Sequence, residues 1–279
     1  MKKSKRFLLL AGIMSLTLFL AACGTEPITS QSEGFWDGIV IYNFSRIIIW
    51  LSEIFGGNYG VGIILFTVLI RIILLPLTHF QTKSMRKMSD VNPQLQELRE
   101  QYSARDTETQ EKLREETARL YEEAGVNPYM GCLPLLVQMP VLIALYQAIS
   151  RTPQLSSGDF LWTNLGQPDP FFIWPILAAV FTLVNSKLTQ MSNPAQEGAA
   201  LMTYMMPIMI LFISISLPSA LSLYFVVSNA FSVAQTLLLN NPFKIKRERE
   251  EKERAEQERE RERRRALRRA RKTGRNVKK

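Results

Sequence analysis

Arg71 is the side chain to which a task can be attached first. It lies in Phe66-Thr67-Val68-Leu69-Ile70-Arg71-Ile72-Ile73, an otherwise apolar run. A guanidinium at the centre of a bilayer helix costs about 2.5–3.5 kcal/mol on insertion scales. A cation kept at that cost has a route to water or a use. Snorkelling is the route: Thr78 is seven residues further on, roughly 10 Å along a helix axis. The neighbours suggest the use. Thr67, Arg71 and Thr78 share one helical face; Thr182, Ser186 and Gln190 recur every four residues on a later apolar run. Ser228, Ser232 and Gln235 share a face of the last run, with Asn229 beside it, and Gln138 lies in another. Taken singly, each is ordinary glue between membrane helices. Together with Arg71 they outline a polar cavity. No Asp or Glu lies inside these runs, so the cation is suited to the acidic groups of a guest.

Other chemistries lack their parts. His79 is the single histidine, without a Cys, Asp or Glu cluster near it, so no metal site is expected. There is no Ser-His-Asp constellation, glycine-rich phosphate loop or acid pair in an apolar setting, hence no catalytic residues and no cofactor. Cys23 and Cys132 cannot make a disulfide framework, and Cys132 reads as a small buried residue.

The elements that must hold the polar residues are membrane helices. Lys2, Lys3, Lys5 and Arg6 precede the apolar stretch Phe7 to Leu20, a charged region and core of signal length. Leu20-Ala21-Ala22-Cys23-Gly24 resembles a bacterial lipobox, which makes residues 1–22 a lipoprotein signal peptide and Cys23 a lipidated first mature residue. Residues 23–58 then form an extracellular N-terminal segment. Spans are expected at Tyr59 to Thr78, Gly131 to Ser150 and Phe171 to Met191. The 40 or so apolar residues from Gly198 to Leu239 accommodate two more at about 20 residues each, divided at Pro218. The fold class is thus all-α: a polytopic membrane protein with five transmembrane helices.

Flanking charge sets the direction. Lys83, Arg86 and Lys87 follow the first span and Lys187 lies near the end of the third, placing both ends in the cytoplasm with the N-terminus outside. Residues 84–127 are highly charged with a weak helical period: Leu95, Leu98 and Tyr102, then Leu113, Leu120 and Ala124. They read as a cytoplasmic helical hairpin starting at Asn92-Pro93, turning within Ser103 to Thr107 and stopping at Gly125. From Lys244 onward 18 Lys/Arg face 8 Asp/Glu, a net of +10, so the body before it sums to −1 in a chain of +9. Residues 242–279 are therefore a basic cytoplasmic tail, helical through i,i+4 pairs or a solvated extension. Charge alone suits it equally to anionic lipid or nucleic acid.

Three functions fit at this point: a small-molecule or ion transporter, a device that moves polypeptide, and a nucleic-acid scaffold with an inert body. Five spans show no two-fold repeat and no acidic coupling site, which disfavours the transporter. The scaffold leaves Arg71 unexplained.

A family likeness favours the second. Asn127-Pro128 with Gly131-Cys132-Leu133-Pro134-Leu135-Leu136-Val137-Gln138-Met139-Pro140 resembles the start of the second span in the YidC/Oxa/Alb membrane protein insertases. Arg71-Ile72-Ile73-Leu74-Leu75-Pro76-Leu77 and Leu217-Pro218-Ser219-Ala220-Leu221, continuing through Tyr224 to Asn229, resemble that family too. The likeness covers roughly residues 59–241, the five-span core, and with the lipobox it resembles the Gram-positive lipoprotein-type branch. It implies a groove open to the cytoplasm and closed outside, in which Arg71 draws in the acidic leading segment of a substrate. It also implies insertion and folding of nascent membrane proteins, alone or with the Sec translocon. The tail would contact ribosomes, and no DNA partner is expected. Thr67, Gln138, Ser186, Gln190, Ser232 and Gln235 as further groove lining follow from their positions. The most apolar part of the fourth span, Tyr204 to Leu217, is about 21 Å long against a core of about 30 Å, so local bilayer thinning is expected.

Overall fold

The computed structural model describes residues 26–104, 106–131, 133–192, 199–239 and 241–272. The signal and Cys23 lie outside these residues, as does Cys132. Nine longer helices run through the described residues in chain order. They are α1 (Tyr42–Ile54), α2 (Tyr59–Ile73), α3 (Leu75–Gln101), α4 (Thr107–Glu123) and α5 (Leu133–Arg151), then α6 (Ile173–Ser192), α7 (Ala199–Ser216), α8 (Ser219–Leu239) and α9 (Pro242–Lys272). A two-stranded turn, Asp159–Phe160 paired with Thr163–Asn164, joins α5 to α6.

Helix α1, entered through a π-helical segment Gly34–Ile41, is absent from the expectation for residues 23–58. Its buried face is Ile41, Ser45, Ile48 and Ser52, a 3.6-residue stripe in which two positions are serine. Both hydroxyls reach their own backbone, Ser45 the Ile41 carbonyl at 3.1 Å and Ser52 the Ile48 carbonyl at 2.7 Å. Ser52 behaves as a small packing residue, whereas Ser45 also bonds the Thr152 hydroxyl at 2.9 Å, just past the end of α5. Segment Gly34–Ile54 meets α2 at a bend of 118°, started by the Asn58 side chain accepting from the Val61 N–H at 3.2 Å. The two helices approach closely because Gly62 has no side chain: a Cβ there would sit 2.0 Å from Ser52 Oγ and 2.6 Å from the Ile48 carbonyl oxygen.

The first span also differs from expectation. It breaks at Leu74, and Thr78 belongs to α3. Pro76 lies in the first turn of the new helix, where its missing N–H costs nothing. Helix α3 then runs to Gln101 straight through Pro93, so the hairpin helix does not start at Asn92-Pro93. Pro93 is exposed, and water can serve the carbonyl that its ring deprives of a donor. The hairpin turn and stop fall as expected. Asp106 caps α4 by accepting from the Thr109 N–H at 2.8 Å, and Gly125 follows the helix at φ +60°. Hydrogen bonding from Thr109 holds the Asp106 carboxyl below the usual carboxylate range. The tail is helical as α9, with i,i+4 pairs such as Arg264 on Glu260 at 2.9 Å.

Helix α8 is the one described helix that is both long and apolar enough to cross a bilayer unaided. Helix α2 has 15 residues, α7 has an apolar part from Thr203 to Ser216, and Asn185, Lys187 and Gln190 interrupt α6. Helix α8 packs on α6 and α2, and α7 packs on α6.

The core gathers at one end of this bundle. Ile63 and Phe66 of α2, Leu145 and Ile149 of α5, Trp174 of α6 and Leu221 of α8 are buried together. Ile48 of α1 and Phe160 of the turn close the cluster. Gly60 lets Phe160 in, since a Cβ there would lie 2.1 Å from its ring. Asp169 starts α6 by accepting from the Trp174 N–H at 2.8 Å and the Phe171 N–H at 3.0 Å.

Candidate functional site

Past the core, the inward face of α8 turns polar. Tyr224, Ser228 and Gln235 succeed one another at intervals of four and seven residues, so they stand on one face of the helix. Each meets a polar group from another helix. Gln138 of α5 donates to the Tyr224 hydroxyl. Arg71 of α2 donates to Ser228 Oγ through Nε at 2.8 Å and through Nη2. Gln235 donates to the Thr78 hydroxyl of α3 at 2.7 Å. These three rungs tie α8 to α5, α2 and α3, running from Tyr224 inside the apolar core to Gln235 beyond it.

Arg71 therefore has a hydrogen-bond partner. Its acceptor is a neutral hydroxyl 157 positions away, and among the described residues no carboxylate forms an ion pair with it. A charge-assisted bond to a buried hydroxyl is worth more than a neutral one, yet it leaves the positive charge in place.

The other expected residues separate into two groups. Gln138 and Gln235 stand on the ladder with Arg71. Ser232 supports it from the same helix, its hydroxyl on the Ser228 carbonyl at 3.0 Å. Ser186 and Gln190 are half-buried on α6 and are not bonded to Arg71. Thr67 departs most from a lining role: it is fully buried, with its hydroxyl closed on the Ile63 carbonyl at 2.7 Å. It packs one turn before Arg71. Tyr224 was missed in the sequence because an aromatic in an apolar helix reads as core, and its ring is indeed buried. Only its hydroxyl reaches Gln138.

A second polar cluster occupies the opposite end. Arg151, at the end of α5, is buried and donates to both carboxylate oxygens of Asp37, at 3.1 and 2.6 Å. It also donates to the Glu26 carbonyl at 2.8 Å and to Gln147 Oε1 at 3.3 Å. Trp36 donates to the same Gln147 oxygen at 3.1 Å. The N–H of Ile28 returns a bond to the Arg151 carbonyl at 2.9 Å. Residues 26–41 are thereby strapped across the end of α5. Gln147 takes part in this strap through its side-chain oxygen.

The described residues thus make a helical membrane protein, with an apolar core at one end and a polar ladder at the other. Its residues 50–248 match the family described as 60Kd inner membrane protein. It is similar to the Membrane protein insertase YidC of Enterococcus faecalis, 58% identical over 249 residues that cover 89% of this chain and 90% of that protein. Similarity to the Membrane protein insertase YidC 2 of Listeria innocua is 51% over 255 residues, 89% of each. A solved structure, described as an active YidC insertase crystal structure with the first transmembrane domain resolved, superposes with a TM-score of 0.58 at 32% identity. That match covers 74% of this chain and 47% of the solved one, so the chain spans about half the length of that protein. The chain belongs to the 60Kd inner membrane protein family, and as such it is a plasma-membrane protein.

Proposed function

We propose that the chain is a membrane protein insertase whose polar ladder is the resting state of a groove for the hydrophilic leader of a client. The observation that carries this is Arg71: a cation between bilayer-type helices that no carboxylate among the described residues neutralises. On this reading the ladder end faces the cytoplasm and the core end faces outside. The core then closes the groove on the outer side, and five helices span: α2 continued into α3, then α5, α6, α7 and α8. Lipidation at Cys23 and a tail that meets ribosomes belong to the same reading, as does work alone or beside the Sec translocon. Burial of the client's apolar segment in lipid supplies the driving force, so no nucleotide is required. The protein lowers the barrier for the polar leader.

The test is insertion of a single-span client into liposomes containing only the purified protein. Arg71→Ala is expected to impair a client with an acidic leader more than its neutral counterpart. Equal losses for both would assign Arg71 a structural role, and no insertion above empty liposomes would remove the autonomous insertase.

A further inference from the structure

The bond that Arg71 makes at rest bears on which clients the groove prefers. Both its Nε and Nη2 point at one oxygen, Ser228 Oγ, on a residue almost fully buried. A serine hydroxyl has two lone pairs, and two N–H donors from one guanidinium fill them. The other rungs are closed on themselves, Gln138 with Tyr224 and Gln235 with Thr78. Among the described residues, Ser228 is thus the side chain that Arg71 must leave before it can take up a guest.

We propose that Ser228 sets the charge specificity of the groove, its hydroxyl holding Arg71 as a neutral stand-in for a client carboxylate. The proposal rests on the insertase reading above. A carboxylate offers two anionic oxygens that match the guanidinium fork, and such bidentate charge-assisted bonds are about twice as strong as neutral ones. An acidic leader therefore displaces Ser228 at a gain. A leader with alanine at the acidic positions offers Arg71 nothing and leaves the bond to Ser228 in place. The bond to Ser228 is therefore a cost met only by a leader that takes up Arg71, and a carboxylate repays it. It also keeps the guanidinium satisfied in the empty groove, so the cation need not draw a stray anion.

Ser228→Ala removes the stand-in and Ser228→Thr keeps a hydroxyl, while Ser228→Asp supplies a permanent carboxylate. The readout is the ratio of insertion rates, in proteoliposomes, for two clients identical except that the acidic leader residues of one are alanine in the other. Ser228→Ala should raise that ratio roughly three- to tenfold, the worth of one hydrogen bond to a charged group, reduced by water that enters in its place. Ser228→Thr should leave the ratio at the wild-type value. Ser228→Asp should bring it towards one, because the leader then meets a neutralised cation. A packing role for Ser228 would change both clients together and not the ratio. A ratio unchanged in Ser228→Ala, with Arg71→Ala still lowering it, overturns the proposal and leaves the insertase reading intact. A wild-type ratio of one that Arg71→Ala does not alter removes the reading of Arg71, and this proposal with it.

Discussion

Arg151→Gln should unfasten residues 26–41 from the end of α5, and its cost can be worked from the contacts. The Arg151 side chain is 8% exposed and that of Asp37 is 28% exposed. Removing one member of a fully buried pair costs about 3–5 kcal/mol, mostly because the other charge is left without a partner. Here Asp37 has partial access to water, so the expected loss is about 2–3 kcal/mol. That figure includes the bond to the Glu26 carbonyl, which glutamine cannot span. The assay is the midpoint of SDS-induced unfolding in mixed micelles, read together with protease sensitivity of residues 26–41. A double-mutant cycle with Asp37→Asn isolates the pair, and a coupling of at least about 1 kcal/mol is expected. Additive losses would show that the two residues stabilise the fold separately, and the strap would then owe its place to its apolar contacts, the Trp36–Gln147 bond and the Ile28 N–H bond to the residue 151 carbonyl.

Gly62→Ala should destabilise by about 2 kcal/mol or more in the same assay, because its Cβ meets the Ile48 carbonyl oxygen, and Ser52→Ala should not rescue it; a neutral result would mean that α1 slides freely on α2. Asp106 has a folded-state pKa below its unfolded value, so its capping contribution is present above about pH 4 and is lost as pH falls through the lower folded value. Helicity of the hairpin should decline in that window, whereas Asp106→Asn, which keeps an acceptor without the titration, should flatten the profile. Deleting residues 247–279 should weaken co-sedimentation with ribosomes, and in the intact protein rising salt should weaken it too; salt-independent binding would move the contact away from the basic helix.

What the sequence disclosed and what it withheld differ by range. Arg71, Gln138 and Gln235 were legible because an intramembrane polar group is costly wherever it lies, and helical spacing fixes the face it takes. Their partners were not. Ser228 and Thr78 each stand 157 positions from the residue they bond, and nothing local marks one of several serines as the acceptor. Nothing local pairs Asp37 with Arg151 either, 114 positions apart. Helix α1 was hidden by its serines, which break the apolar stripe on paper while in the fold Ser52 closes on its own backbone and Ser45 meets the Thr152 hydroxyl. Pro93 misled in the opposite sense. Its conformational preference favours a helix start, but the exposed side of a long helix tolerates it.

The geometry of α8 sets how much of a bilayer the ladder can shorten. Tyr224 and Gln235 are eleven residues apart, about 16 Å along the axis, roughly half of a hydrocarbon core about 30 Å thick. Tyr224 already stands in the apolar cluster, and past it Leu221 and Leu223 are buried with Trp174 and Phe66. On the insertase reading, a leader therefore travels the first half among hydrogen-bonding side chains and meets the full desolvation cost only in the second. Thinning beside α7, whose apolar part ends at Ser216, would shorten that second half. The dependence on leader length follows. A leader short enough to lie along the ladder keeps its polar groups paired until its apolar segment reaches lipid. A longer one must place residues beyond Tyr224 while the rest still occupies the groove, and its rate should fall steeply with each added charge. Insertion rates of clients with graded leaders should show a break near that length, and the same slope throughout would mean that the ladder does not carry the leader.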